Sequence, residues 1–110
     1  MKRSKWSLTS AAAIVGLFGS QLAFGQGTNP NLARDLAATC ANCHGTGGVS
    51  SGEVASLAGQ PKEELIRKMQ AFKAGSAPPS TIMPQVAKGY TDAQIELIAG
   101  WFASQKSGSK

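Results

Sequence analysis

Cys40-Ala41-Asn42-Cys43-His44 contains both cysteines and the single histidine of a 110-residue chain. The spacing C-x-x-C-H is the attachment signature of a c-type haem. Two thiols that add across the two vinyl groups of one porphyrin must stand about one helical turn apart, and positions i and i+3 of a helix do so. His44, one residue on, is then placed to offer an imidazole nitrogen to the iron, a standard role for a proximal histidine.

Other chemistries fit this stretch less well. A disulfide across two intervening residues closes too short a loop to stabilise a fold. A thioredoxin-like dithiol expects a βαβ setting, and no strand pattern lies nearby. A structural zinc site takes four protein ligands, whereas the chain has three soft or nitrogen ligands in all.

Outward toward the N-terminus, Pro30 is expected to open a helix of residues 30–43, with Thr28 or Asn29 as its cap. Leu32, Leu36, Cys40 and Cys43 recur at helical spacing and are expected on one buried face. Further back, Lys2, Arg3 and Lys5 precede an apolar run from Leu8 to Phe18, and Ala23-Phe24-Gly25 has the small residues of a cleavage site. This is the pattern of a secretory leader, residues 1–25, cleaved after Gly25. The alternative, an uncleaved anchor, has an apolar run shorter than the ~20 residues a span needs. The mature domain is therefore expected to be residues 26–110, in the periplasm and without a stable membrane anchor.

The leader also changes the meaning of the charge. The whole chain has 11 basic and 6 acidic residues, for a net +5. Three of the basic residues leave with the leader, and the remaining +2 is about offset by two haem propionates. Such a balance argues against nucleic-acid binding. A mature domain of this size has a small core of its own. A buried haem supplies apolar volume, and a group bound only by the native state adds to stability.

Toward the C-terminus, Gly45 to Gly48 are expected to end the first helix and begin a loop reaching residue 60, with a short helical turn at Glu53–Leu57. Pro61 opens a second helix with Glu63 and Glu64 near its positive end, and Gly75 closes it. Leu65, Met69 and Phe72 form its apolar stripe. Lys62, Arg67, Lys68 and Lys73 read as a solvated face, with a docking patch as the alternative. Residues 76–89 are expected to be irregular, interrupted by Pro78, Pro79 and Pro84. Thr91 caps the last helix, with Gln94 in the capping-box position. Ile95, Ile98, Ala99 and Phe102 form its stripe, widened by Leu97 and Trp101. The fold class is all-α, with three main helices around one prosthetic group.

The second axial position has two candidates beyond the leader. Met69 belongs to a helical stripe and reads as core filler. Met83 sits between prolines and is assigned the thioether; an open position or Lys88 are the alternatives. His44 with Met83 would raise the reduction potential and close the iron to other ligands.

Cys40-x-x-Cys43-His44-Gly45, Met83-Pro84 and the pair Trp101-Phe102 together resemble the class I cytochromes c. Phe72-Lys73-x-Gly75, Thr81-Ile82-Met83 and Ala87-Lys88-Gly89-Tyr90 resemble, more narrowly, the cytochrome subunit of flavocytochrome c sulfide dehydrogenases. The resemblance implies one covalently bound haem c on Cys40 and Cys43, with His44 and Met83 as iron ligands. It also implies a flavoprotein (FAD) subunit that oxidises sulfide and passes electrons to this chain, and an electron acceptor downstream. On its own the chain would then carry electrons rather than catalyse. A free diffusible carrier is the alternative, and a haem-free dithiol oxidoreductase is a reading of a different class. Ile82, Pro84 and Val86 are expected to line the haem edge. Two departures stand out. Leu32 replaces a small glycine common in the first helix of the family, so the crossing with the last helix is expected to rely on Ala99 and Gly100. Ala55 replaces a proline whose carbonyl holds the ligand imidazole; the backbone carbonyl near Ala55 is still expected to accept.

Overall fold

The computed structural model describes residues 29–79 and 82–108. The expected leader, residues 1–25, lies outside the described residues, as do Thr28 and Thr81. Among the described residues there are five α-helices and no strand: α1 (Leu32–Ala38), α2 (Ala41–His44), α3 (Lys62–Ala74), α4 (Met83–Lys88) and α5 (Asp92–Ser104), with a 3-10 turn at Thr46–Gly48. The all-α expectation holds, and α1, α3 and α5 pack as its frame: α1 on α5, and α3 on both α4 and α5.

The first helix differs from the single run expected over 30–43. Asn29 Oδ1 accepts from the Asn31 N–H at 2.9 Å, holding Pro30 in a turn, and α1 starts only at Leu32. Thr39 and Cys40 keep helical dihedrals, but Cys40 N donates to Ala37 O, a tighter i−3 bond. The chain therefore re-enters as the four-residue α2, which presents Cys43 and His44. Leu32 is exposed, and the buried residue of α1 is Ala37, off the expected stripe. Ala37 joins Ile98 and Ala99 of α5 in one buried cluster, so the close crossing falls to two alanines. Gly100 does not share that role; a Cβ there would meet the side chain of Lys62. Leu97 is likewise exposed rather than part of the buried stripe.

Two other expectations are corrected. The segment Glu53–Leu57 is not helical; the short turn sits earlier, at Thr46–Gly48. The stretch after Pro79 is not irregular throughout. Pro84 is the second residue of α4, where its missing N–H has no intrahelical partner to lose, so it starts a helix instead of breaking one. Three end signals behave as read. Glu63 and Glu64 stand in the first turn of α3, although Pro61 is its N-cap and lies just outside. Gly75 takes the left-handed conformation (φ +74°) that ends α3, and Thr91 and Gln94 complete both bonds of a capping box on α5.

The buried side chains are few. Among the described residues they are Leu65, Ile95, Ile98, Phe102 and four alanines, with no buried polar residue. Much of the space that larger apolar side chains would fill is instead a cavity.

Candidate haem site

That cavity has a volume of about 600 Å³ and opens between α2, α3, α4 and α5. Leu65, Ile98 and Phe102 line one part of it, and Val54, Ile82 and Val86 another. Cys40, Cys43 and His44 reach it from α2 and its approach, and Met69 and Met83 from α3 and α4. Apolar walls, two thiols, one imidazole and two thioethers suit a large, flat, mostly apolar group bearing a metal. The residues present therefore fit a haem. Cys40 is half-buried and Cys43 exposed, both as free thiols. Burial pushes the Cys40 thiol above its ordinary pKa, and its hydrogen bond to Thr39 opposes part of that rise.

The imidazole is held by the backbone. His44 Nδ1 lies 2.6 Å from Ala55 O. A carbonyl can only accept, so Nδ1 carries the proton and Nε2 keeps its lone pair for a metal. Ala55 thus fills the role expected for the carbonyl at this position without a proline. The carbonyl is placed by the loop from Gly45 to Pro61. Gly48 O accepts from Leu57 N at 2.8 Å and Ala58 N at 3.1 Å, and Gly59 N donates to Phe102 O at 2.9 Å. Ser50 N bonds Ser56 Oγ at 2.9 Å, and Gln60 Nε2 donates to Ser56 O. Two glycines make the path possible. At Gly45 (φ +85°) a Cβ would fall on the Val49 carbonyl, and at Gly48 (φ +80°) it would lie 2.6 Å from the Phe102 ring.

Four curated proteins align with the chain, and three of them show the range. The cytochrome subunit of sulfide dehydrogenase from Chlorobaculum tepidum is 44% identical over 69 residues, 63% of this chain and 62% of that protein. The thiosulfate dehydrogenase electron acceptor of Thiomonas intermedia is 39% identical over 69 residues, 60% of this chain and 32% of that protein. Cytochrome c4 of Stutzerimonas stutzeri is 32% identical over 108 residues, 90% of this chain and 50% of that protein. The chain's homologues are class I cytochromes c. It spans between a third and about six-tenths of the length of these relatives. No protein-family model matches it.

In this chain both candidate methionines line the cavity, Met69 from within α3 and Met83 as the first residue of α4. Lys88 ends α4 and does not line it, nor does Pro84, whereas Ile82 and Val86 do, as expected. The basic residues of α3 are largely spoken for. Arg67 makes a two-point contact with Glu64, the shorter at 2.6 Å, and Lys68 lies 3.6 Å from the same carboxylate. Hydrogen bonds from Arg67 hold the Glu64 carboxyl below its usual range. Lys73 turns to Asp92 at 2.9 Å. Arg67, Lys68 and Lys73 of the α3 cluster are thus engaged in exposed and inter-helix ion pairs, which fits the solvated-face reading.

Sequence reasoning passed over Thr39, Leu57 and Gln60, all of which line the cavity. Thr39 had a positional signal, since it directly precedes the first cysteine. Leu57 and Gln60 had none beyond their place in a glycine-rich loop.

Proposed function

We propose that the protein is a periplasmic one-haem c-type cytochrome that accepts electrons from a sulfide-oxidising FAD flavoprotein subunit and passes them to a downstream acceptor. The observation that carries the haem reading is the convergence of Cys40, Cys43, His44 and Met83 on one apolar cavity, with the His44 tautomer set by Ala55 O. In this reading Cys40 and Cys43 hold the haem through thioether bonds, and His44 Nε2 and Met83 Sδ are its iron ligands. The haem supplies a one-electron couple. The chain's own residues exclude water through Leu65, Ile98 and Phe102, and keep His44 fixed in orientation and protonation. Holding both ligands in place through a change of charge keeps the reorganisation accompanying transfer small. Sulfide oxidation itself belongs to the flavoprotein.

The name of the C. tepidum relative, a cytochrome subunit of sulfide dehydrogenase, supports the reading as a subunit of a sulfide-oxidising enzyme. Among the described residues no helix is long and apolar enough to cross a membrane, and the leader-like pattern at residues 1–25 supports export. A second reading is a free diffusible carrier; the match to cytochrome c4 across 90% of this chain, a name that designates no enzyme subunit, is compatible with it. Affinity purification of the tagged mature protein from periplasm tests the choice. Co-elution of a flavin-containing subunit, with sulfide-dependent appearance of the reduced haem spectrum, supports the subunit reading; elution of the cytochrome alone supports the free carrier. A negative pyridine haemochrome from protein made with the maturation machinery sinks both and leaves a dithiol protein.

A further inference from the structure

The residue that follows α4 and its closing Gly89 ties three parts of the fold together. Tyr90 is half-buried, and its hydroxyl lies 2.7 Å from Thr39 Oγ1, 51 residues away in sequence. Thr39 Oγ1 also donates to Leu36 O at 3.1 Å. A threonine hydroxyl has one proton to give, so Tyr90 must be the donor to Thr39. The Tyr90 carbonyl in turn accepts from Lys73 Nζ at 2.9 Å, and the same ammonium is 2.9 Å from Asp92 Oδ1. One residue therefore links the end of α1, next to Cys40, with the end of α3 and the start of α5.

Its position gives this node a purpose. Helix α4 has six residues and packs chiefly on α3. A helix this short does not hold itself in place, since helices under ~12 residues depend on their packing. Met83 is its first residue, so the thioether is only as well placed as the helix that bears it. We propose that Tyr90 is a positioning residue for Met83. Its hydroxyl bond to Thr39 clamps the end of α4 to the segment carrying the cysteines, and so keeps the methionine side of the cavity closed. This rests on Met83 as the axial ligand.

The test uses the ferric, haem-loaded protein and imidazole as the competing ligand. Wild type shows the long-wavelength Met-to-iron band and Met83→Ala lacks it. Tyr90→Phe, which deletes only the hydroxyl, keeps the band but binds imidazole about fivefold more tightly, the factor that the loss of one ordinary hydrogen bond implies. Thr39→Val gives the same gain, and the double variant gains no more than either single one. Glu96→Gly on the exposed face of α5, which lowers stability by a comparable amount away from the cavity, leaves imidazole affinity unchanged. Wild-type affinity in Tyr90→Phe, additive gains in the double variant, or an equal gain in Glu96→Gly overturns the clamp. Absence of the band from wild type, or its persistence in Met83→Ala, overturns the ligand assignment instead and the clamp with it.

Discussion

The two sides of the cavity are built by different means. On the His44 side, α2 and the Gly45–Pro61 loop form a web of short-range bonds, and the imidazole receives a direct one from Ala55 O. On the Met83 side, a six-residue helix leans on α3 and is tied at its far end through Tyr90. One side chain is locked by its own loop; the other depends on elements distant in sequence. The His44 side should therefore tolerate loss of the Tyr90 tie, and the Met83 side should register it.

Removing both thiols breaks the site most completely. The double variant Cys40→Ala, Cys43→Ala loses all covalently held haem, so acid-acetone extraction leaves a colourless protein; covalent haem in that variant would contradict the attachment reading. Met83→Ala comes next. It abolishes the long-wavelength band and lowers the reduction potential, as expected when a His/Met pair loses its thioether, while covalent haem is retained. A voltammetric potential equal to wild type would transfer the role to Met69.

Gly48→Ala probes the loop that secures His44. A Cβ at φ +80°, 2.6 Å from the Phe102 ring, costs more than about 1 kcal/mol. The thermal midpoint is expected to fall by at least roughly 4–8 °C. A wild-type midpoint would show that the loop can be rebuilt without this turn. The smallest effect is expected at Glu64→Gln. Glu64 is paired with Arg67 and its pKa is lowered, so its contribution is present at neutral pH and lost as pH falls through that lowered value. Because both side chains are solvated, the midpoint at neutral pH should scarcely move in calorimetry. A large drop would make α3's charge pairing part of the frame.

The same contrast explains what could be read from the sequence. The Thr91–Gln94 box and the Gly75 stop are local patterns whose chemistry lies within a few residues, and the structure places both as read, whereas the helix expected to carry C-x-x-C-H is broken at Thr39 and Cys40. The Ala55 carbonyl could be anticipated because every residue, proline or not, has one. Helix α4 was hidden because Pro84 reads as a breaker unless the helix start is known. The buried role of Ala37, in place of Leu32, depends on where α5 crosses α1, which no periodicity of α1 states. The bonds of Tyr90 to Thr39 and Lys73 span 51 and 17 residues, and nothing in the local pattern at either end announces them.

The small buried set has a consequence for the life of the chain before its cofactor arrives. Half of those buried residues are alanines, and the core they form borders a space of about 600 Å³. On the proposed function, an exported chain without its haem would spend much of its time open, and an open chain is what proteases cleave. Haem attachment would then act as a survival filter, removing unloaded copies by turnover without any factor that inspects the iron.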